Sequence, residues 1–111
     1  MILTELYNLL SSIEGFSNRV TYHSFPAGNS PGLPFICYLV TGSDNFKADS
    51  QVYKSIIEVD IELYTEKKDL QSERKIENAL NNAGISWDKT EEYIDDEHCF
   101  EIIYTITIQG D

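Results

Sequence analysis

The sequence predicts an α+β domain in which an antiparallel, or mixed, sheet of about five strands is packed by two α-helices. Three observations carry this. Apolar residues recur at helical spacing near the start of the chain and again over 69–83. Residues 57–64 alternate strictly between apolar and polar. Two further strand-like runs, 85–94 and 100–108, flank the acidic turn Asp95-Asp96-Glu97. With more strands than helices, the helices cover one face of the sheet only. A chain of 111 residues makes one domain, 1–111, and nothing in it reads as a linker or repeat. A chain of this size hides roughly two-thirds of its unfolded surface, enough for a core without metal or disulfide.

Each element has its own signal. Ile2, Leu3, Leu6, Leu9, Leu10 and Ile13 line one face of a helix, with Thr4, Glu5, Asn8, Ser11 and Ser12 on the other, and Gly15 ends it. Residues 20–25 predict a short strand, and 26–32, broken by Pro26, Gly28, Pro31 and Gly32, a loop. Residues 35–41 predict a strand covered on both faces or nearly so. The polar stretch 42–51, with Phe46 as its one aromatic, predicts a long connection. In 57–64, Ile57, Val59, Ile61 and Leu63 face the core, while Glu58, Asp60, Glu62 and Tyr64 face water. Asp69 caps the second helix, Ile76, Ala79, Leu80 and Ala83 form its apolar stripe, and Gly84 stops it. In the last strand Phe100, Ile102, Tyr104, Ile106 and Ile108 share the core face.

Composition limits the function. Nineteen acidic against eight basic residues, a net charge of -11, oppose binding to phosphate backbones and to anionic membranes. No apolar run approaches the ~18 residues of a membrane span. The opening residues carry no basic leader, so no signal peptide is expected, and synthesis in a cytoplasm is. The two cysteines, Cys37 and Cys99, predict reduced thiols and not a disulfide framework.

The constellations that carry chemistry are thin. His98-Cys99 with His23 and Cys37 is the one set of soft ligands, and it lacks the paired short spacing of zinc sites, so no metal is expected. The turn 95–97 lacks the alternating ligands of a calcium loop. No serine lies in a nucleophile elbow, and no Lys-Ser or Lys-Thr follows Gly28 and Gly32 to make a phosphate loop. Glu58, Asp60 and Glu62 have the chemistry for acid-base work, but a spacing of two makes them one solvated strand face. No catalytic residue and no cofactor is predicted. Arg74 and Glu77, one turn apart, predict a weak surface pair, with an intersubunit salt bridge as the functional reading of Arg74. Phe46, flanked by Asp44 and Lys47, has the makeup of an interface anchor, an aromatic ringed by charge.

The succession Leu33-Pro34-Phe35-Ile36-Cys37-Tyr38, then Val59-Asp60-Ile61-Glu62-Leu63-Tyr64-Thr65-Glu66-Lys67-Lys68-Asp69, then Ile76-Glu77, Gly84-Ile85 and Phe100-Glu101-Ile102-Ile103-Tyr104, resembles the tail-terminator, or tail-completion, proteins of siphophages and Gram-positive prophages. The likeness runs from residue 3 to 108 and rests on the order of short pieces, with no diagnostic motif. It implies a structural, non-enzymatic part of the virion tail, assembled in the host cytoplasm. As a homo-hexameric ring it would cap the major tail-tube protein, stop tube polymerisation and meet the head-connector, or stopper, protein. Genomic DNA would pass through such a ring without tight binding, and Glu58, Asp60 and Glu62 are the residues assigned to the channel; Asp44, Phe46, Lys47 and Arg74 are assigned to interfaces. Two other classes stay open: a small α+β ligand-binding or regulatory module, marked by a convergent apolar pocket, and an acid-base enzyme, marked by a buried carboxylate with a raised pKa.

Overall fold

The computed structural model describes residues 1–48 and 51–110; the side chains of 46–48 and 52–54 are outside that set. The elements are α1 (Leu3–Ser11), β1 (Val20–Tyr22), β2 (Phe35–Ser43), β3 (Phe46–Ala48), β4 (Gln51–Lys54), β5 (Ile56–Thr65), α2 (Leu70–Asn82), β6 (Asp88–Ile94), a one-turn 3₁₀ helix (Asp95–Glu97) and β7 (Cys99–Gln109). The main sheet has five strands in the order β1-β2-β5-β7-β6. The β1–β2 pair is parallel and every other pair is antiparallel, so the fold is α+β with a mixed sheet and two helices.

Register places the core. Ile36, Leu63 and Ile102 form one row across β2, β5 and β7; Tyr38, Ile61 and Tyr104 form the next; Val40, Val59 and Ile106 the third. Against these rows lie Leu6 and Leu10 of α1 and Ile76 and Leu80 of α2, all fully buried. Each such side chain contributes about 1.5 to 3 kcal/mol when taken from water. Both helices therefore sit on one face. The opposite face carries Glu58, Asp60, Glu62 and Tyr64 as the alternation requires, but these are half-buried and not freely solvated.

The helix ends follow from capping. The Ile2 backbone N–H donates to Glu5 Oε1 at 2.9 Å, tying off the start of α1. Asp69 Oδ1 accepts from the Ser72 backbone N–H at 3.0 Å, and Ser72 Oγ donates to Asp69 Oδ2 at 2.7 Å. Those two bonds, with the backbone one the stronger influence, hold the Asp69 carboxyl below its usual range. Asp69→Ala is expected to cost about 1 kcal/mol in urea unfolding; an unchanged midpoint would mean that the first turn of α2 is held by packing alone. Gly84, at φ 73°, takes the left-handed step that ends α2, and its neighbour Ile85 donates back to the Leu80 carbonyl at 2.9 Å.

Four local expectations need correction. The strand at 20–25 stops at Tyr22, because His23 turns to φ 65° and the Ser24 N–H bonds back to the Tyr22 carbonyl at 2.8 Å. The strand at 85–94 begins only at Asp88, since Ile85 is engaged in closing α2. The stretch 42–51 is not one irregular connection. It begins as the end of β2, and β3 pairs antiparallel with β4, prolonging the β2–β5 ribbon beyond the main sheet. Asn45 Oδ1 accepts from the Ile56 N–H at 3.0 Å and the Asp44 N–H donates to the Ile56 carbonyl at 2.9 Å, which joins the two parts of the ribbon. The fourth is the Arg74–Glu77 pair, because Glu77 is held by Lys89 and Tyr104 instead.

Candidate functional site: an acidic sheet face

On the face away from the helices, register again fixes the neighbours. Phe35, Tyr64, Glu101 and Glu92 form one row across β2, β5, β7 and β6. Cys37, Glu62, Ile103 and Thr90 form the next, and Leu39, Asp60, Thr105 and Asp88 the one after. Glu58 faces Gly42 on one side and Thr107 on the other. No Lys or Arg occupies an outward position in these rows. A carboxylate-bearing surface without cations keeps a negative potential that phosphates avoid.

Aromatic rings gather at one end of this face. Phe25, in the loop after β1, meets Phe35 edge-on at 5.4 Å, and Phe35 lies on Tyr64 at 5.1 Å. This aromatic chain covers one end of the face. The Tyr64 hydroxyl lies 2.6 Å from Glu101 Oε2, to which it donates, and 3.1 Å from Glu62 Oε1. Thr105 Oγ1 donates to Asp60 Oδ1 at 3.0 Å. Burial pushes the Glu62 carboxyl above its ordinary value; Glu101 and Asp60 push the same way, while Tyr64 and His23 oppose. Burial and the two carboxylates push Tyr64 far above the ordinary phenol range. Burial, then Glu62 and Glu101, push the Cys37 thiol up to about 11. A thiol held protonated is a poor nucleophile. Cys37 and Cys99 are both free and buried.

A second group of charges lies on the helix side. Glu73, only 2% exposed, has Lys68 Nζ at 2.7 Å from Oε2 and Lys89 Nζ at 2.7 Å from Oε1. Both contacts are ion pairs. Lys68 also pairs with Glu91, and Lys89 with Glu77 at 2.7 Å. The Tyr104 hydroxyl donates to Glu77 Oε2 at 2.7 Å. Burial alone would raise the Glu73 carboxyl, but Lys68 and Lys89 more than offset it, and the group stays below its ordinary value. The network fastens α2 to β6, β7 and the turn before α2. It supplies charge compensation, not an accessible base.

The residues singled out from sequence are scattered. Glu58, Asp60 and Glu62 do share one face, joined there by Glu101, whose alternation set it opposite the core, and by Glu92 and Asp88, which the sequence did not single out. Arg74 is exposed on the helix layer and, among the described residues, makes no ion pair; Glu77 is taken by Lys89 and Tyr104, so the expected Arg74–Glu77 pair does not form. Asp44 is exposed at the far end of β2, beside Ile56. Phe46 and Lys47 belong to β3, and their side chains lie outside the described residues. His23 and His98 are exposed, and among the described residues no three His, Cys, Asp or Glu side chains gather as metal ligands. No helix is long and apolar enough to cross a membrane. Comparison with protein-family models and with curated proteins finds no match.

Proposed function

We propose that this chain is a phage tail terminator: a structural ring subunit that caps the tail tube, stops its growth and joins the tail to the head connector. The observation that carries the reading is the outer sheet face, where Glu58, Asp60, Glu62, Glu101, Glu92 and Asp88 stand together with no Lys or Arg in their rows. Such a wall suits a channel for DNA, because phosphates can slide past it without being held. Two further features suit a ring part. The sheet has open edges at β1 and β6, where copies can meet side by side. The β2–β5 ribbon continues into the β3–β4 hairpin, an arm outside the main sheet that suits contact with a neighbouring copy. Its partners are then further copies of itself as a hexamer, the major tail-tube protein and the head connector. DNA is a passing cargo, the place of work is the virion tail after assembly in the host cytoplasm, and no cofactor is needed.

One observation favours an acid-base enzyme instead: Glu62 is a half-buried carboxyl held above its ordinary value. Its surroundings argue against that role. The clefts lined by Ile56 and Ile108, by Ile13 and Ala79, and by Pro34 and Thr65 do not include Glu62. A general base needs a place for a substrate within hydrogen-bond reach.

The test uses a phage whose genome encodes this chain. Deleting its gene should give tails of uncontrolled length that join no heads, and a gold-labelled copy should mark the head-proximal tail end in micrographs. Normal tails joined to heads in the deletion, or a chain missing from purified virions, would overturn the proposal.

A further inference from the structure

We propose that Glu62, Tyr64 and Glu101 form a proton-sensitive latch across β5 and β7, closed when Glu62 carries a proton that it donates to the Tyr64 oxygen while Tyr64 donates its own to Glu101. The latch is a property of the isolated domain and stands apart from the ring reading.

Proton counting favours it. The Tyr64 hydroxyl has one hydrogen, and two carboxylate oxygens lie within bonding range of it, at 2.6 Å for Glu101 and 3.1 Å for Glu62. The shorter contact marks the hydrogen as given to Glu101. The Glu62 contact then sets lone pair against lone pair unless Glu62 brings a proton of its own. With that proton the chain closes, Glu62 carboxyl to Tyr64 to Glu101 carboxylate, and every contact is attractive.

The neighbours favour keeping the proton. From β2, the Cys37 thiol faces Glu62. From β5, Asp60 lies two residues away on the same face, and from β6, Glu92 stands opposite Glu101. Among the described residues, His23, in the segment after β1, acts on Glu62 in the opposite sense. Like charges this close disfavour full ionisation. A hydroxyl committed to Glu101 gives less to an ionised Glu62, which weakens one of the two influences holding that carboxyl down.

Loss of the proton turns the 3.1 Å contact repulsive, so Glu62 swings to solvent and Tyr64 keeps only Glu101. The outer face gains one negative charge per chain. The sign of the stability effect follows: a carboxyl raised in the folded state leaves the fold binding more protons than the unfolded chain. Stability therefore falls as pH climbs from the ordinary value of 4.5 to the raised one, and levels off above it.

The test is a carbon-13 NMR titration of the glutamate carboxyls, with thermal melts alongside. In the wild type the Glu62 midpoint should lie above the ordinary glutamate position. Tyr64→Phe removes the acceptor of the Glu62 proton and should bring that midpoint down. Glu62→Gln, whose amide can donate to Tyr64 as the protonated acid does, should fold normally and remove the fall in melting temperature across the same pH range. A Glu62 midpoint in the ordinary range, or one unchanged or raised in Tyr64→Phe, overturns the latch. If Tyr64→Phe does not fold, the melts decide, and a Glu62→Gln profile parallel to wild type overturns it equally.

Discussion

Replacing Glu73 with glutamine is expected to lower the folding free energy by about 3 kcal/mol at neutral pH, since removing one partner of a buried pair typically costs 3–5. Glu73 is 2% exposed and lies 2.7 Å from both Lys68 and Lys89. Neutralising it leaves two ammonium groups facing each other across a buried amide. The lysines are 38% and 30% exposed, so water relieves part of their repulsion and the effect belongs at the lower end of that range. A loss of this size is a large share of the ~5–15 kcal/mol that holds a small domain together. It corresponds to a fall of roughly 10 to 20 °C in melting temperature. The pH dependence gives a second check. The folded Glu73 carboxyl lies below its ordinary 4.5, so its contribution is complete above that value and is lost as pH falls through the folded one. Wild type and Glu73→Gln should converge in acid. Urea titrations at pH 7 and pH 3 measure both effects, and a difference under about 1 kcal/mol at pH 7 would reduce the network to the worth of a surface pair. Glu62 and Glu73 thus tilt stability in opposite directions over the acid range.

Legibility in the sequence followed locality. The alternation of 57–64 identified the two faces of β5 because a strand's period needs only its own residues. Asp69 and Gly84 marked the ends of α2 for the same reason. The β3–β4 hairpin escaped because a two-stranded ribbon outside the main sheet needs no continuous apolar face, and 42–51 shows none. Glu73 reads as a surface residue by type, yet it stands three before Ile76 and seven before Leu80, in line with the apolar stripe. That position was a readable sign of burial. Its partners were not readable, because Lys68 and Lys89 reach it from the turn before α2 and from β6. Glu101 posed the same difficulty. Its alternation placed it opposite the core, but only the register Tyr64↔Glu101 brings it to the hydroxyl that Glu62 also touches.

Reversing charges on the outer face should create DNA binding where the wild type has none. Glu58→Lys, Asp60→Lys and Glu92→Lys change three outward positions on β5 and β6 and leave the Glu62, Tyr64 and Glu101 cluster in place. At net charge -11, the wild type is expected to show no complex with duplex DNA near physiological salt. The reversed face places three cations on a stiff sheet, spaced as strand neighbours are, and should bind without sequence preference at a Kd of about 10⁻⁴ to 10⁻⁶ M. That affinity should fall steeply with added salt, since each phosphate contact releases condensed counterions. Glu14→Lys, Glu66→Lys and Asp96→Lys make the matched control, with the same change in total charge at exposed positions away from the face. In virions the two sets separate the channel reading from a plain charge effect. Particles carrying the face variant should assemble tails of normal length yet release their genome slowly, because the wall now holds what it must let pass. Particles carrying the control should release it at the wild-type rate. Equal release from both, in particles shown to contain the variants, would place Glu58, Asp60 and Glu92 outside the channel wall.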